Sequence, residues 1–293
     1  MQGHCCWCLV VLQIIAIHGF EQAIILGRKC LIMPTERRNN GNNEPPIVLL
    51  GGTAQTTASW EMHIPTLSKA GSILVYECAG QGLEASDLPN LSLPIQAQQL
   101  NSVLKVAFPS ATKFNLVGFS MGARILMAYA VMFPNRIQKL HLTGVAAMPS
   151  EAGSVALASW THLLSQHNLS GFAWSLLQAT YSPSFLYRNI HRLQQWVQFI
   201  EQSNSAPALL SLLEETRSLE DWNPIGMAQK IKGVHGCLLV GEKDIMAPYE
   251  QALELTRHLG WDDPTIVYDC GHAIPTEKPR LWRENVLKFL REG

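Results

Sequence analysis

Residues 113–133 read KFNLVGFSMGARILMAYAVMF, and two structural patterns meet inside them. The first part, KFNLVGF, is a short continuous apolar run of the kind that a parallel sheet buries on both faces. The second, ARILMAYAVMF, is apolar almost all round, as expected of a helix packed against such a sheet. Between them Gly118-Phe119-Ser120-Met121-Gly122 fits Gly-x-Ser-x-Gly at a strand-to-helix turn. A turn this sharp strains the serine backbone, and the flanking glycines let strand and helix close on it. The Ser120 hydroxyl is thereby exposed at the carboxyl edge of the sheet.

Further apolar runs lie on both sides at IVLLGG (47–52), SILVYEC (72–78), KLHLTGV (139–145), HGCLLVG (235–241) and PTIVYDC (264–270). Helical patterns separate them. Residues 93–108 place Ile95, Leu100, Val103, Leu104 and Ala107 on one face, and LWRENVLKFL (281–290) closes the chain in the same style. The alternation predicts an α/β fold with a doubly wound, mostly parallel sheet. It breaks over residues 147–232, where Trp160, Trp174, Trp196 and Trp222 sit among leucines at helical spacing, which predicts a helical cap insertion. The expected divisions are an N-terminal apolar segment with the first strands (1–33), the first part of the core (34–146), the cap (147–232) and the second part of the core (233–293).

Composition narrows the function. With 293 residues, 47% hydrophobic and only 15% charged, the chain can bury one large core. A net charge of −1 offers no basic stripe to neutralise phosphates, so nucleic acid is excluded as a partner. The cysteines (Cys5, Cys6, Cys8, Cys30, Cys78, Cys237, Cys270) number seven without regular spacing, which argues against a disulfide framework and for a reducing compartment. The Cys5-Cys6-Trp7-Cys8 cluster lacks a second Cys/His pair at zinc spacing, so no metal is expected. The apolar stretch WCLVVLQIIAIHGF follows no Lys or Arg and is shorter than the roughly 20 residues of a membrane span. A soluble intracellular protein, in cytoplasm or organelle, is the expectation, with an atypical N-terminal targeting segment as the alternative.

A serine hydroxyl is a poor nucleophile near neutral pH, so Ser120 calls for a base and for an acid that orients it. In Gly-x-Ser-x-Gly sheets the acid precedes the histidine in the chain. Asp244 in GEKDIMAP follows one late strand, and His272 in DCGHAIP follows the next. Asp269 is the spare acid. A developing oxyanion needs two donors, which the amides of Met121 and of Thr53, from LLGGTAQ, would supply, with Ala54 the neighbouring choice. Gly51 and Gly52 let that loop come close. Gly52 is an expected substrate contact.

Together these motifs resemble the α/β-hydrolase superfamily, in particular its small cap-bearing esterase, lactonase and haloperoxidase-like branch, from about residue 45 to 290. Two positions depart from that branch. Gly51 stands where a histidine is usual, and Glu77, Ala79 and Gln81 alter the Asp-x-x-Gly-x-Gly-x-Ser turn. GFSMGAR also resembles the menaquinone-pathway synthase that eliminates pyruvate, in which an arginine at the place of Arg124 binds a substrate carboxylate. The first expectation is a serine hydrolase that cleaves an ester, thioester or lactone of a small to medium, partly apolar molecule through an acyl-enzyme, with no cofactor. The alternatives are the pyruvate-eliminating lyase, for which Arg124 and one of Arg188, Arg192 or Arg217 should face the pocket, and a slow-turnover ligand receptor on the same fold.

Overall fold

Alternate residues of the apolar runs face opposite sides of one sheet, and each side has its own core. Val48, Leu50, Leu74 and Leu116 pack on one face. Leu49, Val75 and Val117 pack on the other with Trp60 and Trp282. Burial on both faces is why these strands read as continuous apolar runs and not as alternating ones. The computed structural model describes residues 15–17, 20–25, 28–33, 44–83, 90–217, 220–231 and 233–292.

The strands are β1 (Ile15–Ile17), β2 (Phe20–Ile25), β3 (Arg28–Met33), β4 (Ile47–Leu50), β5 (Ile73–Tyr76), β6 (Phe114–Phe119), β7 (Ile137–Thr143), β8 (Gly236–Gly241) and β9 (Thr265–Val267). Their order among the described residues is β1-β2-β3-β5-β4-β6-β7-β8-β9. From β5 to β9 neighbouring strands run parallel, whereas β1, β2 and β3 form an antiparallel meander that joins through β5. This is the expected doubly wound, mostly parallel sheet. Strand order reverses around β4, and the crevice beyond the carboxyl ends of strands at such a point is where open α/β sheets take ligands. The expected strand at 264–270 ends early, at Val267, because Asp269 takes a positive φ of 46°.

The helices that cover this sheet are α1 (Ile64–Leu67), α2 (Leu93–Ala107) and α3 (Met121–Met132), followed after β8 by α10 (Tyr249–Leu259), α11 (Ile274–Glu277) and α12 (Pro279–Arg291). Between β7 and β8 the chain departs into six more among the described residues: α4 (Glu151–Ser165), α5 (Leu169–Thr180), α6 (Pro183–Arg188), α7 (Leu193–Ser203), α8 (Ala206–Glu215) and α9 (Pro224–Lys230). Local chemistry starts four of them. Side-chain oxygens of Ser150, Asn168, Ser182 and Asn223 accept the amides of Gly153, Gly171, Phe185 and Gly226, satisfying donors that a helix start leaves open. At the other end of the fold, buried Lys139 of β7 donates to the Phe289 and Leu290 carbonyls, capping the last turn of α12. Among the described residues no helix is long and apolar enough to cross a membrane. The Cys5-Cys6-Trp7-Cys8 cluster and most of the proposed N-terminal targeting stretch lie outside the described residues.

Candidate active site

Ser120 joins β6 to α3 with φ 53° and ψ −116°. Side chains other than glycine avoid that region at a cost of about 1–3 kcal/mol, so something must hold it. The Ser120 amide donates to the Thr143 carbonyl of β7 at 2.9 Å, and the Gly122 amide donates to the Gly51 carbonyl at 2.9 Å. A Cβ on Gly122 would lie 2.5 Å from the Leu50 carbonyl oxygen. Only glycine lets the first turn of α3 approach the end of β4 this closely.

The Ser120 hydroxyl donates to Nε2 of His272 at 2.8 Å. His272 is set on the loop after β9, and its Nδ1 donates to Oδ2 of Asp244 at 2.8 Å. Asp244 lies on the loop after β8, where its Oδ1 accepts the amides of Met246 and Ala247, both at 2.8 Å. An acceptor-only carboxylate requires the proton on Nδ1, which leaves the Nε2 lone pair facing the serine. The Phe119 ring, 5.1 Å from the imidazole between centroids, backs its face. Asp269 is elsewhere. It is half-buried, held by Lys243 at 2.6 Å and by the Ser184 hydroxyl at 2.8 Å, and these partners pull its carboxyl down to about 2.

Thr53 and Met121 line one cavity with Ser120 and His272. Among the described residues neither of their amides has an acceptor in the chain. Gly52 serves differently. Its amide donates to Oε1 of Gln55 at 2.9 Å, and a Cβ on it would fall 2.8 Å from the Phe119 ring and 3.1 Å from Ser120 Cβ. Its part is close packing behind Ser120. Gln55 and Gln81, to which the sequence reading assigns no role in the site, hold this loop: the Gln55 amide donates to Oε1 of Gln81 at 3.1 Å. The available signal was the departure at Gln81 from the family turn.

The cavity measures about 860 Å³, within the range of small-molecule sites. Leu157 and Trp160 of α4, Leu213 of α8 and Ile225 of α9 supply an apolar wall from the inserted helices. Arg124, one turn into α3, also lines it. Its Nη2 donates to the Thr216 carbonyl at 2.6 Å, its buried Nε has no partner among the described residues, and loss of solvation pulls the guanidinium down to about 10. It therefore stays cationic at neutral pH, and it forms no ion pair among the described residues. Arg217 lines the cavity as well. Arg188 instead pairs with Asp269 at 4.0 Å, and Arg192 lies over the Trp196 ring.

A strained serine, a histidine and a buried carboxylate in one hydrogen-bonded line, at the edge of a parallel sheet, define an α/β hydrolase. A model of the alpha/beta hydrolase family matches residues 47–284, and the chain belongs to that family. It is similar to the 2-hydroxy-6-oxononadienedioate/2-hydroxy-6-oxononatrienedioate hydrolase of Escherichia coli O81 (strain ED1a), at 23% identity over 257 residues that span 83% of this chain and 86% of the relative. Among solved structures it resembles MGS-M2, an alpha/beta hydrolase enzyme from a Medee basin deep-sea metagenome library, with a TM-score of 0.77 and 22% identity over 91% of this chain and 96% of that one. The enol-lactonase of Burkholderia xenovorans LB400 superposes with a TM-score of 0.76 and 20% identity over 92% of this chain and all of its own, 100%.

Proposed function

We propose that the protein is a serine hydrolase that cleaves a carboxylic ester, thioester or lactone through an acyl-enzyme on Ser120. The observation that carries this reading is the unbroken line Ser120 Oγ, His272 Nε2, His272 Nδ1, Asp244 Oδ2, with both contacts at 2.8 Å. Ser120 attacks the carbonyl carbon while His272 takes its proton, and the negative charge that develops on the carbonyl oxygen is received by the amides of Thr53 and Met121. The imidazolium then returns the proton to the leaving oxygen or sulfur, and Asp244 stabilises it without accepting the proton. Water repeats the cycle on the acyl group and frees Ser120. The six inserted helices act as the cap, and their Leu and Trp side chains exclude water and favour a partly apolar substrate. The Arg124 cation, without an ion-pair partner among the described residues, favours a substrate that also carries a carboxylate.

A pyruvate-eliminating lyase is the second reading, favoured by one observation: Arg124 and Arg217 both line the cavity. In that reaction the carboxylates are held by arginines and Ser120 is not acylated. Turnover of a panel of aryl esters, with and without a free carboxylate on the acyl chain, separates the two. Hydrolysis that disappears in Ser120→Ala and His272→Ala supports the hydrolase. Well-folded protein inert to every ester but releasing pyruvate from a carboxylated cyclohexadiene would favour the lyase.

A further inference from the structure

The loop that carries Thr53 has a support from outside the core. Ala54 follows Thr53 with φ 64°, a left-handed conformation that side chains rarely adopt. Both ends of the next peptide unit are held. The Gln55 amide is shared between Gln81 Oε1 and the Gly52 carbonyl of the same turn, each at 3.1 Å, and the Ala54 carbonyl accepts Nδ2 of Asn204 at 3.2 Å. Gln55, so fixed, turns its side chain onto the Gly52 amide at 2.9 Å, which leaves the Thr53 amide as the free donor of the turn.

Asn204 belongs to the insertion, between α7 and α8, and is only 4% exposed. Its Nδ2 also donates to the Ile200 carbonyl at 3.1 Å, and its Oδ1 accepts the Gly82 amide at 3.2 Å. Two carbonyls at one end and an N–H at the other fix the orientation of the amide, since the flipped form would oppose like groups. One side chain thus ties together the Thr53 loop, the turn after β5 and the end of α7. The same corner is tightly packed: a Cβ on Gly80 would lie 2.9 Å from Leu212 Cβ of α8.

We propose that Asn204 is a positioning residue for the oxyanion-binding loop, so that the donors beside Ser120 are aligned only when the insertion is seated. This rests on the hydrolase reading above. Asn204→Asp keeps the shape and the acceptor toward Gly82 but sets an oxygen against the Ala54 carbonyl. The test measures kcat and KM for an aryl ester, inhibition by an aryl boronic acid that forms a tetrahedral adduct on serine, and the melting temperature. A misplaced donor should lower kcat by about ten- to a hundredfold and weaken the boronate by a similar factor. KM should stay within about twofold, because ground-state binding is untouched.

An unchanged kcat and boronate affinity in folded Asn204→Asp would overturn the proposal. So would a rise in KM that accounts for the whole loss. If that variant does not fold, Gln81→Met removes the other half of the clamp from the core side and must give the same split between kcat and KM. A wild-type protein that neither turns over any ester nor binds the boronate would overturn the hydrolase reading, and this proposal with it.

Discussion

Ser120 and Arg124 are both held in conditions that folding alone does not favour. Ser120 keeps a strained backbone, and Arg124 keeps a desolvated cation with no carboxylate partner among the described residues. Strain and unpaired charge of this kind are characteristic of functional positions. Two outcomes follow at this scale. Asp244→Asn should leave the fold intact yet cut kcat by about 10⁴-fold, because the amide can donate to Nδ1 and turn the imidazole into the wrong tautomer. Steady-state kinetics on any ester the wild type hydrolyses reads this directly. Arg124→Met should leave the melting temperature unchanged or raise it, since a poorly solvated charge is removed. The same variant should lose any preference for acyl chains ending in a carboxylate, and a preference that survives would remove Arg124 from the substrate site.

Elements explain both what the sequence discloses and what it conceals. The strand-to-helix junction at Gly118–Gly122 is readable because motif and periodicity agree at one place. His272 and Asp244 are readable because each follows an apolar strand in a short polar turn. The choice between Asp244 and Asp269 is not local, because both flank late strands; it is decided by which carboxylate reaches the imidazole and which meets Lys243. Asn204 is concealed for the same reason. It acts on Ala54 across 150 residues of chain from an inter-helix turn with no recurring pattern. The contact of α3 with β4 leaves no room for a side chain. Gly122→Ala places a methyl group 2.5 Å from the Leu50 oxygen, so α3 must move. It should abolish Ser120 reactivity while Ser120 itself is unaltered in sequence, and thermal melts should show a loss of several degrees.

Across the whole molecule, two histidines buried against Trp282 tie stability to pH. His63 is lowered to about 4 by burial and secondarily by Arg283. His141 is lowered to about 4 by burial, against a hydrogen bond to Asn285 that works the other way. A folded-state value below the unfolded value of 6.5 means that the unfolded chain binds protons first as pH falls. Stability is therefore full above about pH 6.5 and declines toward pH 4, by roughly 1 kcal/mol for each histidine by pH 5.5. The melting temperature should drop by several degrees between pH 7 and 5.5, and His63→Gln with His141→Gln should flatten that slope; an equally steep slope in the double variant would refute the assignment. The central claim, an activated Ser120, is tested most directly by intact-mass analysis after treatment with a fluorophosphonate. One adduct on the wild type, mapped to Ser120 and absent from Ser120→Ala and His272→Ala, is the expected result. Folded wild-type protein that takes no adduct, or takes it at another residue, would contradict the account.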